Sequence, residues 1–143
     1  MSASGGAWGT VRVTDVPASE TSADPSYWAQ WTKDSEYGLR WHSLGRHFGI
    51  RAYGVNANEA DAGRELVVRH EETEFGGQEE LYVIVRGRAR FECDGEAVEL
   101  GPGEALYARA EVMRSAVALE DGTLVLMVGG VPGEPYEADW DTG

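Results

Sequence analysis

Beyond residue 48 the chain is cut into short apolar runs by closely spaced turn residues, and this punctuation restricts its fold more than any other feature. Gly87 separates two runs, Asp94-Gly95 ends the second, Gly101-Pro102-Gly103 makes a hard stop, and Asp121-Gly122 turns the chain again. Asp-Gly between hydrophobic runs marks a tight hairpin, because these residues best tolerate the positive φ it needs. The runs fall at 49–57, 64–71, 81–86, 88–93, 97–100, 105–108, 115–119 and 123–128, with 58–63 as a polar turn. Seven or eight strands at this spacing, and no helix of about ten residues with a clean 3.6 period, indicate an all-β sandwich or barrel. Closing the sheet also removes exposed edges.

The first 47 residues read as an arm. Residues 1–7 are small and polar and are expected to fray. Val11, Val13 and Val16 alternate weakly and suit a strand added to a sheet edge. Asp24-Pro25 has the form of an N-cap and first helical position, opening a short helix through Trp31 that puts Trp28 and Trp31 on one face. Four of the five tryptophans lie before residue 42, and so much aromatic surface needs something to cover. The division is therefore a Trp-rich arm at 1–47, packing on the barrel or a partner subunit, a barrel at 48–130, and an acidic tail at 131–143 with Tyr136 and Trp140 as anchors.

Composition excludes more than it assigns. At 143 residues the chain suits one domain, and its net charge of −13 repels phosphate backbones and anionic lipid. Neither nucleic acid nor membrane is an expected partner. Eleven Arg stand against the single Lys33, which favours bidentate pairing with carboxylates. Cys93 is the only cysteine, so it forms no intrachain disulfide or cysteine-based zinc site and reads as a packing residue. Without a signal-peptide pattern or an apolar run of spanning length, a cytoplasmic location is expected.

Residues 63–119 resemble the conserved barrel of the cupins. The family's first motif ends in a glutamate, six residues and a glycine, matched by Glu80 and Gly87, and the run from Glu79 to Gly87 is typical of small single-domain members. Gly103-Glu104, after a Pro-Gly turn, matches the start of the second motif. The resemblance implies an all-β fold, the double-stranded β-helix or jelly-roll barrel. It also implies a metal held by two histidines and the glutamate of the first motif and one histidine of the second. In this chain those histidine positions hold Thr73, Phe75 and Arg114, while Arg109 and Glu111 replace the second motif's proline and glycine. Only Glu80 remains as a ligand. Phenylalanine cannot coordinate, and arginine offers only donors. The expectation is no cofactor and no metal, with a shifted site using His70, Glu80 and either Glu72 or Glu74 as the alternative.

Arg114, standing where a histidine faces Glu80, predicts a Glu80–Arg114 salt bridge inside the barrel or at its mouth. Tyr82, two residues after Glu80, shares its face and lines the cavity. The ligand-binding set is Thr73, Phe75, Glu80, Tyr82 and Arg114, with Glu80, Tyr82 and Arg114 as catalytic candidates; Arg114 binds a carboxylate or polarises a carbonyl, and Glu80 shuttles a proton. Isomerase, cyclase or lyase-like chemistry on a small organic ligand needs only such groups, although pairing with Arg114 lowers the pKa of Glu80 and weakens it as a base. A non-catalytic ligand sensor or dimeric partner is the second reading, with homodimer formation expected through the sheets or the arm. A metalloenzyme around His70 and Glu80 is the third. His42 and His47 read as packing or surface groups, and Arg86, Arg88 and Arg90 as a solvated strand face.

Overall fold

The computed structural model describes residues 6–16, 39–73 and 76–134. The helix expected at 24–31, the anchors Tyr136 and Trp140, and the positions Glu74 and Phe75 lie outside the described residues. Strands β1 (Leu39–His42), β2 (Gly54–Ala60), β3 (Glu65–His70), β4 (Glu79–Arg86), β5 (Ala89–Cys93), β6 (Glu96–Leu100), β7 (Ala105–Ala108), β8 (Arg114–Ala118) and β9 (Thr123–Gly130) follow in order, with helix α1 (Leu44–Phe48) after β1. They form two antiparallel sheets, ordered β1-β2-β9-β4-β7 and β3-β8-β5-β6. The core lies between the sheets, where Leu66, Tyr82, Ile84, Phe91 and Val125 are fully buried and the Tyr82 and Phe91 rings stand 5.5 Å apart. Each such side chain contributes about 1.5–3 kcal/mol by leaving water.

The turns sit where their residues require. Asp94 and Gly95 both have positive φ, at 50° and 87°, and close the β5–β6 hairpin. Gly87 joins β4 to β5 at φ 81°, and a Cβ there would stand 2.4 Å from Thr123 Oγ1. Thr123 cannot yield, because it is buried and its hydroxyl donates to the Glu120 carbonyl at 2.7 Å, with the Arg88 carbonyl 3.2 Å away. Gly87→Ala is therefore expected to cost about 2–3 kcal/mol, from the forced conformation plus overpacking. Chemical denaturation measures it, and a loss under about 0.5 kcal/mol, the range of a neutral surface change, contradicts the packing described.

Several elements differ from the sequence reading. The second strand runs Gly54–Ala60, three residues past its expected end, because Asn58 and Ala60 pair with Val125 and Thr123 of β9; ladder pairing outweighs the turn preference of Asn. The sheet also starts inside the expected arm, since β1 pairs with β2 from Leu39 onward. Helix α1 ends on Gly49 at φ 71°, with the Ile50 amide donating to the Gly45 carbonyl. Residues 8–16 form a 3₁₀ turn at Val13–Asp15 instead of an edge strand. Their docking point is Val16, buried, whose carbonyl accepts from His42 Nδ1 at 2.6 Å. β3 does not keep the alternation of a regular strand: Leu66 and Val67 are both buried, because register shifts between Glu65 and His70 break the two-residue period. Among the described residues no helix is long and apolar enough to cross a membrane.

Candidate functional site

Three strands bring charged side chains to one end of the interior. On one sheet, His70 at the end of β3 pairs in register with Arg114 at the start of β8. On the other, β4 turns Glu80 and Tyr82 inward, because residues two apart share a strand face. Glu72 follows β3 and is fixed by its own backbone, its amide donating to the Ala110 carbonyl and its carbonyl accepting from the Gly77 amide.

Arg114 is the pivot. It has no exposed surface, and its Nε donates to the Tyr82 hydroxyl at 3.2 Å while Nη1 donates to the Val112 carbonyl at 2.9 Å. Nη2 lies 3.3 Å from Glu80 Oε1 as an ion pair without hydrogen-bond geometry. The same Oε1 accepts from the Tyr82 hydroxyl at 2.6 Å and stands 3.6 Å from His70 Nε2. Glu80 and Arg114 thus form the ion pair expected from the sequence. Burial works against the Glu80 carboxylate, but His70, Tyr82 and Arg114 outweigh it and hold its pKa below the ordinary value. Burial and the Glu80 charge push the Tyr82 hydroxyl up, which keeps it a neutral donor.

His70 carries the second cation. Its Nδ1 faces the Val68 carbonyl at 2.6 Å and its Nε2 faces Glu72 Oε2 at 2.9 Å. A carbonyl only accepts, so Nδ1 bears a proton, and a second proton must lie between Nε2 and the Glu72 carboxylate. Burial disfavours the imidazolium, yet its bonds to Glu72 and Glu80 raise the His70 pKa to about 10. Glu72 goes the other way: burial and the nearby Glu80 charge raise its carboxyl above the usual range. Two cations therefore face two carboxylates, and the cluster is charge-balanced.

The His70, Glu72 and Glu80 donor atoms lie within 4.8 Å of one another, close enough to suggest a metal triad. The donor set does not fit one. A metal must displace the proton between His70 and Glu72 and sit beside the Arg114 guanidinium. Repulsion between a divalent ion and that guanidinium at about 4 Å is on the order of 8 kcal/mol at an effective dielectric near 20. Glu80 Oε1 is already engaged by Tyr82 and Arg114.

The other expected site residues are placed differently. Thr73 is exposed, and its amide and hydroxyl both donate to Glu71 Oε2, so it takes no part in the interior cluster. Arg114 is present but has no exposed surface, with Nε and Nη1 donating inside the protein and Nη2 facing Glu80, so a ligand carboxylate does not reach it. Glu72, which the sequence offered only as a spare metal ligand, is the carboxyl with a raised pKa. Its spacing of two from His70 is the one signal that pointed to it.

No protein-family model matches the sequence, and no curated protein matches it. Solved structures do. KdgF from Halomonas sp. is 24% identical with a TM-score of 0.58, over 74% of this chain and 86% of that one. A sugar phosphate isomerase from a cupin superfamily, from Silicibacter pomeroyi, is 21% identical with a TM-score of 0.58, over 68% of this chain and 62% of that one. A cupin protein from Bacteroides fragilis is 21% identical with a TM-score of 0.56, over 72% and 86% of the respective chains.

Proposed function

The chain is a small cupin-fold domain, and we propose that it acts on a small organic molecule by acid–base chemistry, without the metal usual in the fold. The observation that carries this is His70 Nε2 held 2.9 Å from Glu72 and 3.6 Å from Glu80, with Arg114 neutralising Glu80 from behind. Glu72 is the proton carrier, because burial and the Glu80 charge raise its carboxyl above the ordinary range, the direction that favours a general acid or base. The imidazolium of His70 steadies the carboxylate and the negative charge that develops on a substrate carbonyl oxygen. Tyr82 and Arg114, both fully buried, are positioning residues that fix Glu80. Proton transfer at a carbon beside a carbonyl, as in an isomerase or lyase, needs no more than this. The sugar phosphate isomerase among the structural neighbours supports that reaction class.

The test is hydrogen–deuterium exchange at carbons next to the carbonyl in a panel of aldoses and ketoses, followed by NMR in heavy water. The intact chain is expected to catalyse exchange on at least one compound, with Glu72→Gln about a hundredfold slower at unchanged binding. Equal rates for the two proteins contradict the role of Glu72. A second reading, a non-catalytic sensor or dimeric partner protein, draws on the filled interior and on the exposed outer side chains Tyr53, Leu81, Val85 and Tyr107. Absence of exchange, with a dimer mass by light scattering, favours that reading.

A further inference from the structure

The outer face of the five-stranded sheet holds a groove that the interior cluster does not use. Residues adjacent in a strand point to opposite faces, so Leu81 lies outside while Glu80 and Tyr82 face in. Leu81 pairs with Tyr107 of β7 and with Val128 of β9, which sets three apolar side chains in one row across the face. Tyr107 is 70% exposed, Tyr53 45% and Leu81 42%. A contiguous apolar row marks a contact surface, where scattered apolar residues need no explanation. In the next rung Glu79 pairs with Gly130, and a Cβ built on Gly130 meets nothing within 4 Å. The row thus borders open space, a groove of about 480 Å3 lined by Tyr53, Leu81, Tyr107, Arg109, Val128 and Pro132. That volume falls in the range of small-molecule sites, about 300–1,000 Å3. Of the interior cluster only Glu80 borders it, so the groove is a place apart from His70 and Glu72.

Its one cation among the described residues is Arg109, directly after β7. The guanidinium lies over the Tyr107 ring, 5.8 Å from its centre, which holds the planar fork in place. Among the described residues its ionic partner is Glu79 at 3.9 Å, both side chains are more than half exposed, and the guanidinium makes no hydrogen bond. An exposed pair at that distance is worth little, so another carboxylate can take its place.

We infer that this groove binds a small monocarboxylate with an apolar, ring-shaped body, whose two oxygens take the Arg109 fork in place of Glu79. The ring lies on Leu81 and Val128, between Tyr53 at the start of β2 and Tyr107 on β7, as the strand order places them. The inference does not depend on the reaction proposed above. The walls select the class: a planar guanidinium matches a carboxylate with two parallel hydrogen bonds, and the ring buries against the apolar row and the tyrosine faces. A phosphate dianion brings a second charge toward Glu79 and Glu80, on a chain of net charge −13.

The experiment titrates the full chain with benzoate and cyclohexanecarboxylate, with the neutral benzamide and cyclohexanecarboxamide, and with phenyl phosphate. NMR follows the Arg109 Nε–H signal and the Leu81 and Val128 methyl signals. At least one carboxylate is expected to move these signals saturably and to bind about tenfold or more tighter than its neutral counterpart. Arg109→Gln is expected to lose affinity by a similar factor. Gly130→Leu, which fills the open rung and leaves Arg109 in place, is expected to abolish the shifts. Glu79→Gln has the reverse sign, binding about two- to fivefold tighter, because it removes the competing carboxylate. None of the three touches the core, so their melting temperatures are expected to stay within the range of surface changes. Equal affinity for a carboxylate and its amide, unchanged affinity in Arg109→Gln, or tighter binding of phenyl phosphate overturns the inference. Absence of saturable shifts overturns it too, and a dimer mass by light scattering that falls to a monomer mass in Tyr107→Glu then assigns the face to a second copy of the chain.

Discussion

Arg114→Ala is expected to lower the stability of the chain by about 3–5 kcal/mol, the cost of leaving one member of a buried ion pair without its partner. The size follows from what Arg114 touches. Its side chain has no exposed surface, it faces Glu80 at 3.3 Å, and it donates to Tyr82 and to the Val112 carbonyl. Removing it leaves Glu80 with less compensation, a phenol without its donor, and a carbonyl without a partner. Arg114→Lys is expected to recover only part of the loss, because one ammonium cannot make the forked set of contacts. Replacing both Arg114 and Glu80 with methionine is expected to be milder than Arg114→Ala, since no lone charge is left inside. Denaturant unfolding of the three variants measures this, and an Arg114→Ala loss under about 1 kcal/mol, the scale of a surface pair, contradicts the buried arrangement.

The second large effect is alkaline. His70 is raised to about 10 in the folded chain from its ordinary 6.5. A group whose pKa is raised by folding contributes stability that is fully present below its unfolded value and is lost as pH climbs through the folded one. Stability is thus expected to fall between about pH 6.5 and 10, by on the order of 5 kcal/mol at most. Glu72 has the same sign, because its carboxyl is also raised, but its window opens lower, from the ordinary carboxylate value of 4.5 upward. Glu80 has the opposite sign and adds stability that disappears as pH falls below that value. Arg114, the remaining charged neighbour, does not titrate in this range. A pH series of melting curves is expected to decline through the alkaline window for the native chain. His70→Gln is expected to be nearly flat there. Parallel declines in the two proteins contradict the assignment to His70.

The parts legible in the sequence were those fixed by local chemistry. Gly87, Asp94-Gly95 and Gly101-Pro102-Gly103 end strands where their backbone freedom is needed, so most strand positions after residue 60 were readable. The period of two put Tyr82 on the Glu80 face, and motif position put Arg114 across from both. Less was readable where pairing overrode local preference. Asn58 reads as a turn former, yet β9 holds it in a strand, and this concealed where β2 ends. The register shifts in β3 had a larger consequence. They bring His70 and Glu72 to Glu80 although both precede the positions at which the cupin motif keeps its histidines, and no spacing rule anticipates a bulge. Thr73, at the motif position itself, ended outside the cluster for the same reason.

The central claim is that Arg114 and the His70 proton occupy the electrostatic place that the resemblance to the cupin motifs assigns to a metal. Elemental analysis tests it most directly, on the chain purified without a histidine tag, after incubation with iron, manganese, nickel or zinc and removal of free ion. The account predicts far less than one metal ion per chain for all four, with Arg114→His taking up markedly more than the native protein. One tightly held ion per native chain, lost on Glu80→Gln, is the result that contradicts it.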